Sequence, residues 1–225
     1  MNGPGSMPAP GMTPEVTSGL RSLEVRWILP GHLETAMARW FARFPSEMES
    51  REDTYLLDPM ARGLSVKVRG GGAMEVKAYQ GSQGTLEVAG RARGRLEAWR
   101  KRSFPFNALS QGRCDSARWR PVRKRRRISR FALSSGQLPA HAHRPGKEPQ
   151  CEVELTEIRT HEQDWWTLGF EATGPGSLLC SELEATAALV FANALPANVE
   201  LGPGESRSYA EWLGQRPVTS NDSVA

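Results

Sequence analysis

The chain has 225 residues, 39% hydrophobic and 24% charged, which is enough apolar material for one soluble core. Its formal net charge of +4 conceals a segregation: residues 1–90 sum to −1, residues 91–131 to +13 and residues 132–225 to −8. Cys114, Cys151 and Cys180 are widely spaced, without a C-x-x-C, which argues against a disulfide framework or zinc module and suits a reducing cytoplasm.

Residues 1–18 are rich in Gly, Pro, Met and Ser but carry neither region of a signal peptide, so they read as a flexible tail. The longest uncharged run, 185–199, is too short to cross a bilayer and contains Pro196. Residues 22–29 set Leu23, Val25, Trp27 and Leu29 against Ser22, Glu24 and Arg26, the pattern of a strand with one apolar and one charged face. Pro30-Gly31 ends it, and residues 32–44 then place Leu33, Met37, Trp40, Phe41 and Phe44 near helical spacing.

Strand patterns follow at 51–57 and 64–69, the second with Lys67 and Arg69 opposite Leu64, Val66 and Val68. Gly70-Gly71-Gly72 reads as a hairpin turn into 74–78, where Glu75 and Lys77 oppose Met74, Val76 and Ala78. Residues 85–88, 96–104 and 118–131 are further strands, and Pro121 calls for an edge or a bulge. Residues 134–150 are polar, contain three prolines and read as a linker.

Beyond the linker, Cys151, Val153 and Leu155 oppose Glu152, Glu154 and Thr156, and 165–173 continues as a strand until Gly174-Pro175-Gly176. Residues 181–194 have helix composition, and 209–213 form a short closing helix. The expected organisation is one domain over 19–215, with tails at 1–18 and 216–225.

About eight strands thus carry charge of both signs on one face. Such a face lines the wet interior of a closed barrel or forms the solvated side of an open sheet, and alternation does not separate the two. The expected fold is mainly β with flanking helices, an antiparallel eight-stranded closed or nearly closed tunnel barrel.

The most basic stretch puts six positive side chains in the nine residues 119–127. On a strand the five consecutive ones, 123–127, must divide, Lys124 and Arg126 to one side and Arg123, Arg125 and Arg127 to the other. A nucleic-acid reading uses the block as a phosphate contact, with Arg91, Arg93 and Arg95 nearby and Trp99 and Trp119 to stack bases. His141 and His143 with Cys151 could ligate a soft metal, but the two histidines fall in the linker. Trp165, Trp166, Tyr209 and Trp212 read as packing. No P-loop, dinucleotide fingerprint or nucleophile elbow is present.

The order of these motifs resembles the CYTH superfamily of triphosphate tunnel metalloenzymes, which includes class IV adenylyl cyclases and thiamine and inorganic triphosphatases. It runs from E-x-R on the first strand through a helix, K-x-R, E-x-K and a basic K-x-R strand to a late E-x-E, covering about residues 22–213. The family's E-x-E-x-K corresponds here to Ser22, Glu24 and Arg26, so one carboxylate is lost and Lys has become Arg.

The resemblance implies phosphate binding by Arg26, Lys67, Arg69, Lys77, Lys124 and Arg126, and Mg²⁺ or Mn²⁺ held by Glu24, Glu152, Glu154 and Glu171. Glu24 and Glu154 would serve catalysis. The implied activity is metal-dependent binding and hydrolysis of a triphosphate-bearing small molecule to a diphosphate and orthophosphate. The alternatives are polyphosphate or nucleotide binding without turnover, and nucleic-acid binding by 118–131. Which of Arg100, Lys101 and Arg102 points inward stays open.

Overall fold

The computed structural model describes residues 19–58, 63–70, 72–105, 118–132, 149–161 and 163–214. Both tails, Cys114, His141, His143 and nearly all of the 134–150 linker lie outside them. The strands are β1 (Leu20–Pro30), β2 (Glu47–Leu56), β3 (Leu64–Arg69), β4 (Ala73–Val88), β5 (Ala92–Pro105), β6 (Trp119–Phe131), β7 (Gln150–Thr160) and β8 (Gln163–Thr173). They pair in the order β1-β5-β4-β3-β2-β6-β7-β8 and close back on β1, each neighbour antiparallel. Closure removes every sheet edge and gives each strand one face inside the barrel and one outside. The expected eight-stranded antiparallel barrel is therefore the observed fold.

The outward faces build the main core. Leu23, Val25 and Trp27 of β1, Val153 and Leu155 of β7, and Leu168 and Phe170 of β8 are buried with α1 (Thr35–Phe41) and α2 (Leu179–Phe191). Trp27 meets Phe170 and Phe191 edge-on, each with ring centroids 6.3 Å apart. Burying each such ring is worth on the order of 2–3 kcal/mol, so the outer face stabilises the barrel while leaving its interior free for polar groups.

Two elements differ from the sequence reading. The helix read over 32–44 spans only Thr35–Phe41, because Leu33 and Phe44 pack on the same core from positions beyond its ends and prolong the apolar pattern. The patterns at 74–78 and 85–88 belong to one strand, β4, whose register against β5 shifts between Tyr79 and Gly81 and between Ser82 and Thr85. Gly81 (φ 122°) and Gly84 (φ 99°) supply the positive backbone angles those irregularities need. Pro121 lies beyond the β6–β7 ladder, which starts at Arg123, so its missing N–H leaves no ladder bond unmade on that side.

One end of the barrel is filled from within. Ile28, Tyr55, Val122 and Ile158 share the inward faces of their strands and form a second apolar cluster with Trp212 and Leu213 of α3 (Tyr209–Gly214). Residues 205–207 deliver that helix by pairing along the free side of β1 beyond its ladder with β5. Ile28 N–H donates to the Glu205 carbonyl (2.9 Å) and Arg207 N–H to the Arg26 carbonyl (3.0 Å). The interior is thus a cup with an apolar end and charged walls. No helix among the described residues is long and apolar enough to cross a membrane.

Candidate functional site

The charged part of the interior encloses a cavity of about 300 Å³. Among the described residues, eleven basic and seven acidic side chains line it. Every residue expected from the sequence to bind phosphate or metal is among them: Glu24, Arg26, Lys67, Arg69, Lys77, Lys124, Arg126, Glu152, Glu154 and Glu171. The period-two alternation of each strand produces this, since one register sends all of them inward. On β5 the inward residue of the basic triplet is Lys101; Arg100 and Arg102 do not line the cavity.

Tyr209 forms the boundary between the apolar end and the charged walls. Its ring stacks on Tyr55 at 5.8 Å, with Lys124 Nζ 3.9 Å and Arg26 Cζ 4.8 Å from its centroid. Lys124 also donates to Tyr55 Oη at 2.6 Å and to Asp53 Oδ2 at 3.1 Å. Asp53 is wholly buried and faces Arg51 Nε at 3.3 Å and Lys67 Nζ at 3.5 Å as well. Burial opposes its ionisation, but Lys124, Lys67 and Arg51 bring its pKa down to about 2. The Lys124 ammonium is pushed well below the ordinary lysine value by burial and by Lys67, against the pull of Asp53 and Glu154.

The second layer is built on Glu154. Arg26 Nη1 approaches Glu154 Oε1 at 3.3 Å and donates to Thr167 Oγ1 at 3.1 Å, while Thr156 Oγ1 donates to Glu154 Oε1 at 2.6 Å. Arg126 bridges Glu154 and Glu49 with its two terminal nitrogens. Burial would raise the Glu154 carboxyl; Arg126 and Arg26 hold it well below the usual carboxylate range instead.

Opposite, Lys77 Nζ sits 2.7 Å from Glu24 Oε1 and 3.1 Å from Glu171 Oε1, and Ser22 Oγ donates to Glu24 Oε1 at 2.7 Å. Burial works against the Glu171 carboxylate, but Lys77 and Lys101 lower its pKa to about 2. Lys67 Nζ (3.1 Å) and Arg69 Nη2 (2.9 Å) take the two oxygens of Glu75. Nearer the rim, Arg130 Nε donates to Glu152 Oε1 at 2.9 Å.

A hard divalent cation wants several oxygen ligands converging on one point. Glu24, Glu152, Glu154 and Glu171 do not provide that here. Glu24 and Glu171 share Lys77, Glu154 meets Arg26 and Arg126, and Glu152 meets Arg130; among the described residues no group of three or more His, Cys, Asp or Glu side chains could hold a metal ion. The donor set does not fit a preformed divalent site. What the walls offer is forked guanidinium and ammonium donors facing the cavity, a surface matched to phosphate oxygens.

Of the rest of the basic block, Arg120 donates through Nη1 to the Leu213 carbonyl at 3.2 Å, and Arg123, Arg125 and Arg127 lie outside. Arg123 and Arg125 are exposed; Arg123 Nε meets Glu52 Oε2 at 3.1 Å, and Arg127 Nη1 meets Glu157 Oε1 at 3.2 Å. Trp99 is buried, edge-on to Tyr79 at 5.2 Å and donating to Glu97 Oε2 at 3.2 Å, so it offers no face to a base. Cys151 is buried in the core with α2.

The sequence reading missed the inward face of β2, Glu49, Arg51, Asp53 and Tyr55, although those residues alternate E-x-R-x-D-x-Y in plain view. It also took Tyr209 for packing alone. No family model matches the chain, and no curated protein matches it. Among solved structures, the PH1819 protein from Pyrococcus horikoshii OT3 is similar at 12% identity, over 84% of this chain and 97% of that one, with a TM-score of 0.41.

Proposed function

We propose that the barrel binds a triphosphate-bearing small molecule inside its charged cup. The observation that carries this reading is the convergence of Arg26, Lys67, Lys124 and Arg126 on one cavity next to the Tyr209 ring. In that role Arg26 and Arg126 give planar, charge-assisted donors to the phosphate oxygens. Lys67 and Lys124 act as compact point charges held in place by Asp53. Basic lining groups outnumber acidic ones even with the buried Asp53 counted, which favours a polyanionic ligand, and the low local dielectric strengthens each contact.

The sequence resemblance to triphosphate tunnel enzymes points to the same ligand class. The proposal covers binding alone and leaves out hydrolysis through a divalent ion, for which the described residues form no group of three or more ligands.

The nucleic-acid reading is weaker on charge placement. Two of its five consecutive basic residues face the cup, and Arg123 and Arg127 meet carboxylates of neighbouring strands. The separating experiment is calorimetric titration with tripolyphosphate beside gel shifts with single-stranded DNA and RNA. One-site tripolyphosphate binding is expected, weakened about 10- to 100-fold by Lys124→Ala, the loss of one charged hydrogen-bond partner. Salt-dependent nucleic-acid shifts without tripolyphosphate binding would overturn the proposal. Orthophosphate release in the same samples, with Mg²⁺ or Mn²⁺ added, measures whether turnover accompanies binding.

A further inference from the structure

Glu24 of β1 and Glu171 of β8 stand directly opposite each other across the β1–β8 ladder, both facing the cup. Like charges so placed repel unless a cation lies between them. The cation present is the chain's own. Lys77 reaches from β4, past β5, to put its ammonium 2.7 Å from one carboxylate and 3.1 Å from the other. Ser22, two residues before Glu24 on the same face of β1, brings no charge, and its hydroxyl donates to Glu24. Glu154 is similarly taken by Arg26, Arg126 and Thr156, and Glu152 by Arg130.

We infer that Lys77 is a built-in cation holding Glu24 and Glu171 together in place of a divalent ion, and that the cup therefore takes its polyanion metal-free. The charge inventory agrees, since among the described residues the eleven basic lining groups outnumber the seven acidic ones and the buried Asp53 together before any metal is added. A lysine ammonium also supplies three donors, so one N–H remains for a phosphate oxygen after both carboxylates are served. In solution Mg²⁺ then acts as a competitor, because it ties up the free polyphosphate without bringing the protein a ligand it needs.

The affinity part of this inference rests on the polyphosphate reading of the cup; the Lys77 part does not, and the test separates them. Mn²⁺ alone is titrated with protein and followed by electron paramagnetic resonance. Wild type should leave the free-ion signal unchanged, whereas Lys77→Ala and Lys77→Met, verified as folded by circular dichroism, should each remove one equivalent of it. Lys77→Arg, which keeps the charge, should behave as wild type.

In parallel, tripolyphosphate affinity should be retained in excess EDTA and weaken, by about tenfold, in excess Mg²⁺. Stoichiometric Mn²⁺ uptake by wild type, failure of both folded neutral variants to bind Mn²⁺, or tripolyphosphate binding that requires Mg²⁺ each overturns the inference. If wild type binds no tripolyphosphate under either condition, the polyphosphate reading and the metal-free binding fail together, and the Mn²⁺ titrations alone decide the role of Lys77.

Discussion

The guanidinium of Arg26 occupies the space that a side chain at Gly169 would fill. A β-carbon at Gly169 would stand 2.7 Å from Arg26 Cζ and 2.9 Å from both terminal nitrogens. Gly169 is the cross-strand partner of Arg26 on one side and of Glu154 on the other. The glycine on β8 is therefore the gap across which an arginine on β1 reaches a carboxylate on β7.

Gly169→Ala should accordingly displace Arg26. The expected cost is about 1–3 kcal/mol of stability, with tripolyphosphate affinity lowered roughly tenfold as the guanidinium leaves its layer. In an Arg26→Ala background the same glycine substitution meets no guanidinium and should cost far less. Urea unfolding of the four proteins closes a double-mutant cycle, and additive costs would show that the two residues do not share that space.

Asp53 should be among the most sensitive residues of the interior. It is fully buried and answers Lys124, Lys67 and Arg51 at once, so Asp53→Ala leaves buried cations uncompensated. We expect a loss of about 3–5 kcal/mol, partly recovered when Lys124→Met removes one of the stranded charges. A loss below 1 kcal/mol in chemical denaturation would mean that the cations do not depend on this carboxylate.

The acid limb of stability follows from the same pairs. Asp53 and Glu75 each have a folded-state pKa of about 2, below their ordinary values of 3.8 and 4.5. For carboxylates whose pKa falls on folding, the stabilisation is complete above the ordinary value and is lost as pH drops toward the folded one. Each contributes on the order of 2–3 kcal/mol that disappears between about pH 4.5 and 2. Denaturation midpoints measured at falling pH should stay level from neutrality to about pH 5 and then decline steeply. A level profile down to pH 3 contradicts the pairing.

The barrel's closure was legible in the alternation only as one of two possibilities. Lys67, Arg69, Lys124 and Arg126 sit opposite apolar neighbours in sequence, and that phase is the same for a tunnel and for an open charged face. What selects the tunnel is the pairing of β1 with both β5 and β8, a relation between segments more than sixty residues apart that no local pattern encodes. The metal expectation meets the same limit, since the pairing of the carboxylates is not written in sequence order. Glu24, Glu152, Glu154 and Glu171 were identified as inward carboxylates, but their partners Lys77, Arg26, Arg126 and Arg130 come from other strands and had been assigned to phosphate or left unassigned. Sequence order names the charges and leaves open which of them neutralise one another. Tyr209 was misread because a short aromatic helix after the last strand looks alike whether it packs on the barrel or enters it.

The outer arginines provide an internal control. Arg123, Arg125 and Arg127 face away from Lys124 and Arg126, so the triple substitution to Ala removes three charges without touching the cup. Tripolyphosphate affinity at moderate ionic strength should change less than about threefold, since these side chains do not line the cavity and salt screens charges on the outer face. A loss comparable to that of Lys124→Ala would move the anion site to the outer face.

The most direct measurement is a crystal structure of the protein with tripolyphosphate. The account predicts phosphate density inside the barrel, beside the Tyr209 ring and within hydrogen-bond reach of Arg26, Lys67, Lys124 and Arg126, with no divalent ion between Glu24 and Glu171. Density confined to the outer face at Arg123 and Arg125, with an empty cup, would contradict it.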